Sequence, residues 1–284
     1  MGSTLTVNRI AGALGAEIHG VDLSQKLSDD TIGEIRQALH DNLVIFFRDQ
    51  DLSPGQHLDF ARRFGELQVH DFVEAMPGHP EIIVVAKNEA DKGNFGGGWH
   101  SDVSYLEEPA LGSILYAKEV PSVGGDTLFA NQYLAYDALS DGMKRLLEPL
   151  KAVHSAGHVY GSERSRASVR FDELKAMTMR FSPEAERETV HPVVRTHPET
   201  GRKCLYVNRG FTVRFADMTV EESRPLLDWL FAHSVRPEFT CRWRWEPNAI
   251  AFWDNRCVQH YALNDYHGHR RVMHRVTVNG DRPV

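Results

Sequence analysis

The spacing of apolar positions changes several times along the chain, and each change marks an element. From Thr31 to Asn42 they recur at helical intervals (Ile32, Ile35, Leu39), and the unbroken run Leu43–Phe47 that follows predicts a buried strand. Ser53 and Pro54 form a helix start, a capping residue ahead of a proline whose missing N–H is not needed in the first turn. They lead into Leu58, Ala61 and Phe64. Glu81–Ala86 predicts another strand, reached through a loop over His70–Pro80. From Ser113 onward short strand-like runs multiply: Ser113–Val120, Asp126–Ala130, Val190–Thr196, Cys204–Val207, Phe239–Trp245, Ile250–Trp253 and Arg271–Val278. Most are bounded by Gly, Pro or Asn. Two helices interrupt them, Asp141–Leu150 and Thr219–Ser234, and Thr219 and Glu222 have the spacing of a capping box. This succession predicts a mostly β fold with flanking helices, a sandwich or jelly roll.

The chain has no internal repeat, low-complexity tract or Pro/Ser linker, so one domain over residues 1–284 is expected. The charged, arginine-rich stretch 157–188 reads either as a lid over a site or as a solvated insertion. A length of 284 residues with 42% hydrophobic content supports one large core. The formal charge of −7 argues against binding a phosphate backbone, because no global positive field would attract one. No apolar run approaches the roughly 18 residues of a membrane span, and Met1–Ile10 lacks a signal-peptide pattern. The three cysteines, Cys204, Cys241 and Cys257, are odd in number and form no Cys-x-x-Cys pair. A cytoplasmic enzyme with reduced thiols, bound to neither nucleic acid nor membrane, is the expectation.

The candidate chemistry lies in Trp99-His100-Ser101-Asp102 and in Trp253-Asp254-Asn255, followed by His260 and Arg271. On a strand, residues i and i+2 share a face, so His100 and Asp102 could clamp one cation and the distant His260 could close a third position. Two histidines and a carboxylate on one face of an octahedron leave three positions open. That suits ferrous iron, which must also take a chelating co-substrate and O₂. Zinc accepts the same donors and remains the chemical competitor. With 15 histidines in the chain, the His-x-Asp pair is weak evidence alone. Arg271 and Arg275, four apart, would face the same way on a strand, about 13 Å from each other. If they face a barrel interior, each needs an anion, such as the far carboxylate of 2-oxoglutarate or an acidic group of the substrate. On an edge strand they would be ordinary surface charges.

Across nearly its whole length the chain resembles the TauD/TfdA family of Fe(II)/2-oxoglutarate dioxygenases, which act on taurine and aryloxyalkanoates. The matching segments are Gly15-Ala16-Glu17-Ile18-His19-Gly20-Val21, Phe64-Gly65-Glu66-Leu67, Trp99–Asp102, Gly124-Gly125-Asp126-Thr127, His191–Pro198, Trp253–Arg256, His260 and Met273-His274-Arg275. The resemblance implies a double-stranded β-helix (jelly roll), with Fe(II) held by His100, Asp102 and His260. It also implies that Thr127 and Arg271 take the distal carboxylate of 2-oxoglutarate. Arg275 and His70 would take the anion of the primary substrate, and Phe72, Val73, Val103, Tyr105, Tyr160 and Phe211 would line its pocket. It further implies O₂ as co-substrate, a small organic anion as substrate and a homodimer or homotetramer. An intact Asp102 implies hydroxylation, since halogenating relatives vacate that position for chloride. The chain departs from taurine enzymes where Val73 and Gly96 replace the tyrosine and asparagine that meet the amine. Neither can bond an ammonium through its side chain, so an alkyl or aryl sulfonate, a sulfate or a phenoxypropionate is expected in place of taurine. A larger natural-product carboxylate is the alternative, and a non-catalytic ligand-binding protein is the reading of a different class.

Overall fold

The computed structural model describes residues 5–162 and 174–284. In chain order the elements begin with β1 (Thr6–Arg9), β2 (Ala16–His19), α1 (Asp29–Asn42), β3 (Val44–Phe47), α2 (Pro54–Arg62), β4 (Ala75–Met76) and β5 (His79–Lys87). There follow β6 (Gly112–Glu119), β7 (Thr127–Asn131), α3 (Gln132–Asp137), α4 (Asp141–Leu147), β8 (Lys151–His154) and α5 (Gly157–Tyr160). The remainder comprises β9 (Thr189–Pro192), β10 (Val194–Thr196), β11 (Lys203–Leu205), β12 (Thr212–Phe215), α6 (Val220–His233), β13 (Thr240–Trp243), β14 (Ile250–Asp254), β15 (Val258–Ala262) and β16 (Arg271–Val278).

Local chemistry sets the helix ends. Ser28 caps α1 by accepting from Thr31 N–H, and Leu43, at φ +66°, turns the chain out of the helix into β3. Ser53 with Gln56, and Thr219 with Glu222, form reciprocal capping boxes at α2 and α6. The strand predicted over Val190–Thr196 is two strands, which pair with different partners: β9 with β8, and β10 with β11.

One sheet has eight strands in the order β1-β2-β3-β14-β6-β16-β5-β4, and opposite part of it lies a three-stranded sheet β13-β7-β15. Two smaller sheets, β12-β8-β9 and β10-β11, extend the structure. This is the double-stranded β-helix core that was expected, although the sheets do not close into one hydrogen-bonded barrel. Alternation along each strand divides the core between the two faces of the large sheet. Ile114 and Tyr116 of β6 pack outward against α1 and α2 with Ile35, Phe47, Phe60 and Phe252. Leu115 and Ala117 face inward with Phe46, Phe129, Trp243, Trp253 and Met273. The inward face also carries polar side chains, and these build the site.

Candidate active site

His100 and Asp102 do not share a strand face, contrary to the expectation from alternation. His100 forms a single antiparallel bridge with His260 of β15, with N–H to O distances of 3.1 and 2.9 Å in the two directions. The chain then turns through residues 102–105, with Val103 at φ +46°. It is this turn that brings the Asp102 carboxylate back under His100. The convergence itself is present: Asp102 Oδ1 lies 3.6 Å from His100 Nε2 and 3.9 Å from His260 Nε2. The three residues form a group able to hold a metal ion. The strand bearing His260 escaped the sequence reading. In Val258-Gln259-His260-Tyr261-Ala262, two polar residues occupy buried positions that an apolar pattern would have filled.

Three further residues place the ligands, and none stands out by type. Asn255, fully buried, accepts from Asp102 N–H at 2.7 Å and donates to Asp102 O at 2.8 Å, clamping the turn from both sides. Ser113 Oγ donates to Asp102 Oδ2 at 2.8 Å, leaving Oδ1 to face the histidines. A Cβ on Gly210 would come within 2.6 Å of His100 Cβ, so only glycine lets that loop pass behind the ligand. Replacing Ser113 with alanine is expected to weaken metal binding about 10- to 100-fold, the range typical for partners behind a ligand. Calorimetric titration with Mn(II) measures it, and wild-type affinity would remove Ser113 from the site.

The donor set fits a divalent cation. His100 Nδ1 lies 2.8 Å from Gly98 O; donating there, it leaves Nε2 as a free lone pair toward the cluster. Burial, then His100, pushes the His260 pKa well below its ordinary value, so that ring is neutral. Burial is the strongest influence on Asp102 and works against its ionisation, but Arg275, His260 and His100 together outweigh it and hold the carboxyl well below the usual range. Three donors from one side leave room for further ligands, as both a redox metal and a catalytic zinc would require.

The two arginines face inward. Arg271 and Arg275 sit on β16 opposite Lys87 and Ile83 of β5, and both are buried. Arg275 Nη1 donates to Asp102 Oδ1 at 2.8 Å, while its Nε has no partner among the described residues. Arg271 is the more exposed electrostatically. Its Nε and Nη2 have no partner among the described residues, and its guanidinium lies 5.8 and 6.0 Å from the ring centres of Trp245 and Tyr266. A small cavity bordered by Thr127, Arg271, His100, His260 and Trp253 joins this cation to the cluster.

A larger cavity, about 440 Å³, opens on the other side of the cluster. His70, Val103, Tyr105, Tyr160, Phe211 and Arg275 line it, together with Phe95, His158 and Leu174, which the sequence did not single out. Phe72 and Val73 are not on its surface. Phe72 stacks behind Tyr160 (ring centres 5.1 Å, planes at 22°), and Val73 bridges to Met179, so both support the wall from behind. Of the stretch 157–188, residues 163–173 lie outside the described residues. The flanking parts carry α5 and a turn of 3₁₀ helix at Pro183–Glu186.

His70 Nδ1 accepts from Phe72 N–H at 3.1 Å, which places the proton of the neutral ring on Nε2 as a donor. Burial, then Arg275, lowers its pKa to about 3. Burial does the same to His57 and His154, which also fall to about 3. These three folded-state values lie below the unfolded 6.5, so the unfolded chain takes up about three more protons near pH 5. Stability is therefore full above pH 6.5 and falls as pH drops through 6 and 5, by up to about 4 kcal/mol per unit. Denaturant unfolding at pH 7, 6 and 5 measures this, and a flat profile would show these rings to be accessible.

A jelly roll holding a two-histidine, one-carboxylate group beside an inward arginine with two nitrogens lacking partners among the described residues fits an oxygenase of the 2-oxoacid-dependent class. The chain belongs to the taurine catabolism dioxygenase TauD, TfdA family, whose profile matches residues 6–277. It is 37% identical over 281 residues to an alpha-ketoglutarate-dependent sulfate ester dioxygenase of Pseudomonas putida, covering 99% of this chain and 91% of that protein. It is 36% identical over 278 residues to an alkylsulfatase of Acinetobacter baylyi, covering 98% and 86%. The crystal structure of a taurine dioxygenase from Burkholderia xenovorans superposes with a TM-score of 0.82 at 36% identity, over 99% of this chain and 91% of that one. The chain is a dioxygenase dependent on 2-oxoglutarate (alpha-ketoglutarate).

Proposed function

We propose that this dioxygenase uses Fe(II) and O₂ to hydroxylate a small organic anion. Alkyl sulfates and medium-chain sulfonates are the foremost substrates, ahead of aryloxyalkanoates such as phenoxypropionates. The observation that carries the reading is the larger cavity. Arg275 and the neutral His70 line it, the walls are largely aromatic and aliphatic with Lys92, Asn94, His158, Arg209 and Asn264 also reaching it, and Asp102 is the only carboxylate among its described lining residues. An anionic head with an apolar body fits such a space. An ammonium would find no carboxylate among the described lining residues except Asp102, which is already paired with Arg275, and this speaks against taurine.

His100, Asp102 and His260 would hold the iron, and Thr127 and Arg271 the distal carboxylate of 2-oxoglutarate. When bound, the metal supplies oxidative decarboxylation of 2-oxoglutarate to succinate and CO₂, coupled to placing one oxygen atom on a substrate carbon. The protein supplies position. Arg275 and His70 donate to the substrate anion and hold the adjacent C–H bond toward the cluster. Tyr105, Tyr160 and Phe211 exclude water from it. Hydroxylation of the carbon bearing a sulfate ester gives a species that collapses to an aldehyde and free sulfate.

The test is succinate formation with Fe(II), 2-oxoglutarate and O₂, using alkyl sulfates, alkyl and aryl sulfonates, taurine and both enantiomers of phenoxypropionates. Sulfate release is measured alongside. Strong stimulation by an alkyl sulfate with equimolar sulfate is the expected result. Taurine as the best substrate would overturn the pocket argument, and activity under argon would point to zinc-type hydrolysis. A larger carboxylate, as in natural-product tailoring, would use the same residues. Slow succinate formation unaffected by every anion tested would favour that second reading. 2-Oxoglutarate binding without succinate formation would favour a non-catalytic protein.

A further inference from the structure

We infer that Trp245 is a positioning residue for the co-substrate, acting through Thr127; this rests on the reading of Thr127 and Arg271 as the site of the distal carboxylate. The Trp245 indole is buried, and its Nε1–H donates to Thr127 Oγ1 at 2.9 Å. An indole N–H can only donate, so the threonine oxygen is fixed as its acceptor. A hydroxyl has one proton of its own, which must then point away from Trp245. Thr127 is the first residue of β7, buried at 2% exposure and held between Trp243 and Ala262 of the neighbouring strands. It borders the small cavity that also reaches Arg271 and the metal group. The proton freed by the indole is thus available to an acceptor in that cavity.

The same ring does a second thing. Its centre lies 5.8 Å from the Arg271 guanidinium, with Tyr266 at 6.0 Å. A Cβ on Gly125, which sits at φ +71°, would come within 3.3 Å of the arginine side chain. Arg271 is thereby confined while Nε and Nη2 lack partners among the described residues. One tryptophan orients both donors, one through a hydrogen bond and the other by contact. Phenylalanine removes the N–H but also the second ring, whereas Thr127→Val removes the acceptor and leaves the indole in place, so the two substitutions together separate the hydrogen bond from the contact.

The experiment is calorimetric binding of N-oxalylglycine, which carries the distal carboxylate, and of pyruvate, which lacks it, to the Mn(II)-loaded protein. Trp245→Phe is expected to weaken N-oxalylglycine roughly five- to tenfold, the value of one ordinary hydrogen bond, and to leave pyruvate unchanged. Thr127→Val should produce a loss of similar size, and adding Trp245→Phe to it should change nothing more, since the two act as one unit. Equal weakening of both ligands, full additivity, or no loss in Trp245→Phe would each overturn the inference. Arg271→Met tests the underlying reading separately. If it leaves N-oxalylglycine affinity intact, the carboxylate site itself is misplaced; if it abolishes binding while Trp245→Phe causes no loss, only the role of Trp245 falls.

Discussion

His260→Ala is expected to abolish substrate-dependent succinate formation and to lower metal affinity by more than the roughly 100-fold upper range seen for residues behind a ligand. The side chain is buried on β15, and the bridge to His100 is made by its backbone. Alanine therefore removes the donor without removing the pairing that places the other half of the site. The truncation leaves a void the size of an imidazole beside Trp253 and Phe129, whose ring centres lie 4.6 and 6.3 Å from that of His260. Some loss of stability follows, about 1–3 kcal/mol. The two effects separate experimentally. Metal affinity is read by calorimetry at 10 °C, where the fold is intact, and stability by denaturant unfolding of the apo-protein. Retained turnover would sink the ligand assignment, whatever happens to stability.

Arg271→Met should move activity and stability in opposite directions. A buried guanidinium with two nitrogens lacking partners among the described residues carries a desolvation penalty that its contacts with the Trp245 and Tyr266 rings repay only in part. Burial already pulls its pKa down, with Tyr266 and Asp126 opposing. Methionine fills a similar volume between Trp245 and Tyr266 without a charge. The apo-protein is expected to gain about 1–3 kcal/mol. Affinity for 2-oxoglutarate should fall roughly 10²- to 10³-fold, as when one partner of a charged pair is removed. Thermal unfolding with and without N-oxalylglycine measures both at once: the wild type starts lower and rises with ligand, whereas the variant starts higher and does not respond. A less stable variant would mean that Arg271 has a structural partner.

Where an element lies between apolar sequence and solvent, its pattern was legible. The capping signals at Ser53 and Thr219 and the apolar run of β3 correspond to the observed elements. Legibility failed where the sheet faces the site, because inward positions there hold polar groups and period-2 alternation vanishes. This hid β15. The same cause made the His100–Asp102 relation look like strand geometry when it is a turn at Val103. The cluster residues were legible through family resemblance, whereas the role of their supports was not, even for Asn255, whose motif stood out. Ser113, Asn255 and Gly210 are common residue types whose role exists only after residues far apart in the chain meet. Phe72 and Val73 lie one layer behind the wall for a related reason: sequence shows that a segment reaches the pocket, but not which side chains face it.

The Asn255 clamp on Asp102 spans 153 residues, joining the two halves of the chain through one side chain. Contacts of such range are slow to form, because loop closure must precede any gain from them. Within the site, His100 and His260 meet only after β6, β7, β14 and β15 are aligned. A metal-competent pocket is therefore a late product of folding, absent from partly assembled chains. In a refolding experiment, metal affinity should appear with the slowest phase and lag behind the recovery of secondary structure. A newly synthesised chain would thus be shielded from binding a redox-active ion until the cage around it is complete.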